Sequence, residues 1–318
     1  MLQNKKISIS IPTYNRAEFL DRSLEFHIPL VKKYGIAIYV SDNASPDETK
    51  SVVAKWQKEY DLLFYHENAQ NLGPDENIEV ALKLPESDYV WILGDSNCFD
   101  QKSLELVVES LNSELDVVVV DDNYRVNNKE ARIYTEHNEL LSDLGWHMTQ
   151  LSSLIVSKNI MQSIDFKLYS DSRFTHVGAV FGYLADFVTF NVLWLGDATV
   201  KPIMLDSIRK VSWQNITFDI WLKSWPQLIL SLPHIYSLDS KLRAISDHNN
   251  KTSVFSFKNL LLLKMYGFYT TQIMKEYHQI LRISFNCRKI FAIYIPLFIP
   301  TFIINLAFKI KRAVSYDE

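Results

Sequence analysis

Glycine is scarce, 8 residues in 318, and none of them builds a phosphate cradle. No G-x-G-x-x-G follows the first strand-like run and no G-x-x-x-x-G-K-[ST] occurs anywhere, which excludes the dinucleotide fingerprint and the P-loop. Cysteine is scarcer still. Cys98 and Cys287 lie far apart, match no metal-ligand spacing and suit a reducing compartment. Basic charge is not in excess, with 33 Lys and Arg against 37 acids and a net charge of -4, so no nucleic-acid partner is expected. The chain shows no internal repeat, low-complexity tract or secretory leader, since Met1 to Lys6 runs straight into a strand pattern; a cytoplasmic location is expected. What is there is a chain 47% hydrophobic, long enough for one large or two ordinary domains.

The first 122 residues alternate strand-like and helix-like stretches. Ile7, Ile9 and Ile11 alternate with Ser8 and Ser10 until Pro12 ends the run, and a helical stretch follows over 17–33. Further strands are expected at 36–41, 62–65, 89–93 and 117–120, with helices at 47–60, 75–84 and 101–111 between them. Such spacing predicts an α/β fold with a mostly parallel sheet covered on both faces. From 123 to about 235 the pattern is irregular, with helical pieces expected around 152–160 and 178–190. Beyond 235 it turns helical and increasingly apolar. We therefore divide the chain at residues 122 and 235.

Polar clusters follow the first four strands: Pro12-Thr13-Tyr14-Asn15-Arg16, Asp42-Asn43-Ala44-Ser45, Asn68 to Asn77, and Asp95-Ser96-Asn97. Open α/β sheets bind ligands beyond the carboxyl ends of their strands, so four polar loops on one rim describe a site. For any single loop the plainer reading is helix capping by Asp42, Ser45, Asp75, Asn77 or Asp95.

The four stretches "SISIPTYNRAEFL", "YVSDNASPDET", "NAQNLGPDENI" and "YVWILGDSN" together resemble family 2 glycosyltransferases of the GT-A fold, a Rossmann-like arrangement. The likeness is to the bacterial envelope-polysaccharide, abequosyltransferase-like branch and covers about the first 100 residues. It implies an inverting transferase acting on a nucleotide-sugar donor, UDP-linked, and on a hydroxyl of a lipid-linked saccharide. It also implies roles. Thr13 and Tyr14 would border base and ribose, Asp42 would accept hydrogen bonds from a pyrimidine, and Asn43 is a weaker candidate for the same contact. Asn71 and Gly73 resemble the family's N-x-G over the nucleoside, and Asn77 would face the diphosphate.

In the fourth loop relatives usually carry D-x-D, with Asp95 then near the ribose and the last acid on a divalent cation, Mn²⁺ or Mg²⁺. Asn97 stands in that last place and brings an oxygen without charge, so weaker metal binding is expected; Asp100 would compensate only by bending back. Farther on, Thr175-His176 falls where the family carries E-D. His176 would then be a base with an ordinary imidazole pKa or a nitrogen ligand to the metal, a satisfied structural histidine being the alternative, and Asp171 is the reserve base. Arg209, Lys210 and Trp213 resemble the family's mobile acceptor-side loop, or else form a solvated basic turn.

The segment 290–308 carries no charge and is flanked by Arg288, Lys289, Lys309, Lys311 and Arg312. It is barely the length of a span, about 20 residues, and Pro296 and Pro300 interrupt it, so an in-plane or re-entrant membrane segment is expected rather than a straight span, a buried hairpin or a dimer interface being the alternative. A peripheral or monotopic enzyme at the inner face of the plasma membrane follows. The rival is a non-catalytic nucleotide-sugar-binding or scaffold subunit, allowed by the carboxylates missing at Asn97 and His176.

Overall fold

The computed structural model describes all residues except 1–2, 127, 165, 171, 206–213, 286 and 315–318. The chain divides into two compact units, one over 1–208 with 232–237 and one over 209–231 with 238–318.

Among the described residues the first unit is built on one nine-stranded sheet. Strands β1 (Ile7–Thr13), β2 (Ile38–Asp42), β3 (Leu63–Glu67) and β4 (Tyr89–Ile92) pair in parallel in the order β3-β2-β1-β4. Helices α1 (Ala17–Lys32), α2 (Thr49–Gln57) and α3 (Pro74–Lys83) make the crossovers. The short β5 (Asn97–Phe99) leads into α4 (Gln101–Ser110) and then β6 (Val117–Asp122). These elements agree with the expected ones to within a few residues. Ile7, Ile9 and Ile11 all point inward with Trp91 and Val40, and Trp91 stacks on Phe99 at 4.3 Å between ring centres. That contact fixes β5 against the core.

The region read as irregular completes the same sheet. β7 (Arg132–Tyr134), β8 (Leu154–Ser157) and β9 (Val192–Pro202) alternate with α5 (His137–Leu144), α6 (Lys158–Ser163) and α7 (Thr175–Ala185). The helix expected around 152–160 is in fact strand β8 followed by α6: Leu154-Ile155-Val156 is a fully buried apolar run, which periodicity alone does not separate from a helix. β8 lies antiparallel between β4 and β6, so β6 runs parallel to β1 and β4. Its end, Asp121-Asp122, therefore joins Thr13, Asp42 and Asp95 on one rim.

The second unit is helical. Phe218, Leu222, Phe255, Leu260, Tyr269, Tyr277 and Ile293 form its core. The apolar segment forms two helices, Cys287–Phe298 and Thr301–Val314, bent by 97° between Lys289–Phe298 and Thr301–Ala307. Pro300, lacking an amide proton, sits at the break, and Lys264 Nζ donates to the carbonyls of Pro296, Leu297 and Ile299 that close the first helix. Among the described residues no single helix is long and apolar enough to cross a membrane.

Candidate functional site

Strand register places Thr13 beside Asp42, and the side chains of the loops then bind one another. Thr13 Oγ1 donates to Asp95 Oδ2 at 3.0 Å, while Arg16 Nη1 lies 3.2 Å from Asp95 Oδ1. The first and fourth loops are thus tied through one carboxylate that is only 5% exposed. Arg16 also lies over the Phe19 ring, 4.4 Å from its centre, which limits its swing. Asn15 and Ala44 both take left-handed backbone, and the Asn15 amide donates to Ser45 Oγ at 2.8 Å. Asp47 caps α1 from across the rim, accepting from the Ala17 amide at 2.8 Å. Capping falls to Asp47, leaving Asp95 for the rim.

Asp42 is buried, with Oδ2 accepting from the Tyr65 hydroxyl at 2.6 Å and Oδ1 from the Ser45 amide at 3.0 Å. Burial, and then the Asp42 charge, push the Tyr65 hydroxyl well above its usual range, so it remains a donor. Each carboxylate oxygen retains a lone pair. Tyr65 was not singled out in the sequence; its signal is the tyrosine two residues before the end of β3, level with Val40 on β2.

The amides divide into two groups. Asn43 is saturated: its Nδ2 donates to Asn71 Oδ1 and the Gly73 carbonyl, both at 3.0 Å, and its Oδ1 accepts from the Leu72 amide at 2.8 Å and from Asn68 Nδ2 at 3.0 Å. Asn77 also faces inward, bonding to Ser41 and Asn68. Both ends of the Asn77 amide serve to hold β2 against α3, so its side chain is spent within the protein. Asn71 remains exposed, and Gly73, at φ 87°, supplies the backbone that only glycine adopts freely before Pro74 starts α3. In the first loop Tyr14 is 43% exposed and Pro12 is half-buried.

At the tip of β4 the chain turns tightly, the Asn97 amide donating to the Gly94 carbonyl at 2.9 Å. A Cβ at Gly94 would lie 3.1 Å from Asn97 Oδ1 and 3.3 Å from Ser152 Oγ, so this glycine lets the Asn97 amide close in. Asp100 does not bend back: it caps α4, accepting from the Ser103 amide at 2.9 Å, and lies 3.5 Å from Lys201. Among the described residues no group of three His, Cys, Asp or Glu could hold a metal ion. Asp95 and Asn97 offer one charged and one neutral oxygen, and that pair fits a cation only with further oxygens from a ligand.

His176 is the second residue of α7 and 6% exposed, with both ring nitrogens sealed from solvent. Burial lowers its pKa to about 4, against a small opposing effect of the Met148 and Thr149 backbone, which lies near the ring without making a well-formed hydrogen bond. The expected ordinary imidazole is therefore a correction: desolvation keeps this ring neutral, and it offers no open nitrogen to a metal beside Asp95 and Asn97. Asp171, Arg209, Lys210 and Trp213 lie outside the described residues. The sequence reading ended β6 at Val120 and so passed over Asp121 and Asp122, whose signal was the same apolar run ending in acids seen at Asp42 and Asp95. Arg125 Nε pairs with Asp122 Oδ2 at 2.8 Å.

Residues 8–179, over half of the chain, match the profile described as Glycosyl transferase family 2. The chain belongs to that family. Abequosyltransferase RfbV of Salmonella typhimurium is 32% identical over 196 residues, 54% of this chain and 59% of that protein. A Campylobacter jejuni GalNAc(5)-diNAcBac-PP-undecaprenol beta-1,3-glucosyltransferase is 32% identical over 109 residues, 34% of this chain and 35% of its own. The chain thus spans less than two thirds of the length of either relative. Among solved structures, Staphylococcus aureus TarS 1-349 in complex with UDP-GlcNAc superposes with TM-score 0.56 at 18% identity, covering 87% of this chain and 82% of that one. Mannosyltransferase PcManGT from Pyrobaculum calidifontis, in complex with GDP-Man and Mn²⁺, gives 0.54 at 13% identity over 93% and 87%. At these identities the likeness shows the GT-A fold.

Proposed function

We propose that this family 2 protein is an inverting glycosyltransferase that moves a sugar from a UDP-linked donor to a hydroxyl of a lipid-linked saccharide in bacterial cell-surface polysaccharide synthesis. The observation that carries the reading is the joining of Thr13, Arg16 and Asp95 beside the buried Asp42, which gathers base-, ribose- and phosphate-binding chemistry on one rim. Asp42 and Tyr65 would meet the uracil edge, Asp95 the ribose, and Arg16 the diphosphate. Asp95 and Asn97 would hold Mn²⁺ or Mg²⁺, which would neutralise charge on the departing diphosphate. Asp171 is our candidate for the base that takes the acceptor proton. A groove of about 760 Å³, lined by Leu72, Asp75, Glu79, Phe166 and Thr175 among others, opens beside the start of α7 and is large enough for a saccharide.

The bent helices of the second unit support a membrane-borne acceptor. Phe291, Ile295, Phe298, Phe302, Ile303 and Leu306 are all exposed there, an apolar surface of the kind that enters the headgroup boundary in-plane at the inner face of the membrane. The test is transfer of radiolabel from a panel of UDP-sugars to lipid-linked saccharides in vesicles. Label in the lipid phase, abolished by Asp95→Ala, is expected. UDP-sugar binding without transfer to any lipid saccharide would overturn the proposed activity and return the scaffold reading.

A further inference from the structure

Beyond Asp122 the chain makes a turn that its sequence should resist. Asn123 has φ 49° and Tyr124 φ 61°, and the Arg125 amide donates to the Asp122 carbonyl at 3.1 Å. Two positive φ angles closed by this bond are the signature of a type I′ turn, whose second central position strongly favours glycine. A tyrosine there is strained, and burial does not explain it, because Tyr124 is 60% exposed; what it meets is the ammonium groups of Lys201 and Lys129.

The turn is held from several sides. The Asn123 amide donates to the Val200 carbonyl at 2.8 Å, Lys129 pairs with Asp121, and Arg125 with Asp122. Lys201 and Lys129 ammonium groups lie 5.2 Å and 5.4 Å from the Tyr124 ring centre, and Lys201 is in turn 3.5 Å from Asp100. Val200 pairs with Asp122 on one side and Phe99 on the other, while Asn97 and Cys98 face Pro202 and Lys201. The ring therefore stands one strand away from the β4–β5 tip that carries Asp95 and Asn97.

We propose that Tyr124 is a sugar-binding platform at the catalytic rim, its ring stacking on the CH face of a pyranose while Lys201 and Lys129 donate to that sugar's hydroxyls. An aromatic ring supplies a large contact area with little side-chain freedom to lose, and a rigid turn fixes its direction. The inference rests on the glycosyltransferase reading. The pyranose has two sources, the donor's sugar or the acceptor's.

Saturation-transfer NMR on the full chain separates them, using UDP-glucose, UDP-galactose and UDP-N-acetylglucosamine as donor probes and octyl hexopyranosides as acceptor probes. Asparagine adopts left-handed backbone readily, so Tyr124→Asn removes the ring and keeps the turn. Saturation of sugar protons is expected in the wild type, to fall at least about 5-fold in Tyr124→Asn and to persist in Tyr124→Phe, with the melting temperature of Tyr124→Asn unchanged or raised. Loss confined to the UDP-sugar protons, with uracil signals kept, assigns the platform to the donor; loss confined to the octyl glycosides assigns it to the acceptor. No sugar saturation in the wild type, equal saturation in Tyr124→Asn, or a lowered melting temperature with loss in Tyr124→Phe as well overturns the proposal. Absence of uracil saturation strikes instead at the donor site.

Discussion

Acid should loosen this protein through buried histidines, and His27 shows how. It is fully buried in α1, its Nδ1 lies 3.2 Å from Ser23 Oγ, and its Nε2 accepts from the Phe99 amide at 3.3 Å. A protonated ring would set N–H against N–H at Phe99, and burial lowers the His27 pKa to about 4; His147 and His176 are lowered likewise to about 4. Between pH 6.5 and 4 the unfolded chain binds protons that the folded chain refuses. Stability is therefore full above about pH 6.5 and declines as pH falls toward 4. At pH 5 each histidine removes about 2 kcal/mol, and the three together about 6, a large share of the ~5–15 kcal/mol typical of a folded protein. Urea melts at pH 7.5, 6 and 5, followed by tryptophan fluorescence, would measure the slope. His27→Gln keeps an acceptor within reach of Phe99 but cannot titrate, so the pH 7.5 to 5 difference should shrink by about 2 kcal/mol. An unchanged slope would mean that His27 takes up a proton in the folded state, and its seat between Ser23 and the Phe99 amide would be wrong.

Asp42→Ala should weaken UDP binding by about 1.5–3 kcal/mol in calorimetry, and should also lower the urea midpoint, since Tyr65 loses its 2.6 Å acceptor. Asn97→Asp should tighten Mn²⁺ binding in the presence of UDP by restoring an anionic oxygen; a titration without change would place the cation elsewhere. Phe298→Asp with Phe302→Asp should move the protein from anionic vesicles to the supernatant in flotation, while high salt releases the wild type only in part, because screening does not touch apolar burial. Complete release by salt alone would contradict insertion of the bent helices.

The parallel half of the sheet was legible because its signals are local. There β2 and β3 end in the acids Asp42 and Glu67, Pro12 stands next to the end of β1 and Gly94 lies two residues past β4, and the helices show apolar stripes, as with Leu20, Leu24, Ile28 and Val31 of α1. In the other half β6 was legible but β7, β8 and β9 were not, β8 being a fully buried run whose partners β4 and β6 lie far off in sequence. In the candidate site, residue types pointed to loops that the fold gathers on one rim but not to the direction of each side chain. Asn43 and Asn77 carry the polarity of ligand contacts yet spend it on Ser41, Asn68 and Asn71. His176 reads as a titrating group only until α7 is seen to bury it. Tyr124 gave no periodic signal at all, because what marks it is a backbone angle.

Calorimetric titration of UDP into the 318-residue chain, with and without Mn²⁺, tests the central claim most directly, because the rim of Thr13, Arg16, Asp42 and Asp95 is held to be a donor-nucleotide site. Saturable UDP binding is expected, weakened at least about 10-fold by Asp95→Ala with the melting temperature kept within a few degrees. UDP heats indistinguishable from buffer, or an affinity indifferent to Asp95→Ala, would contradict it.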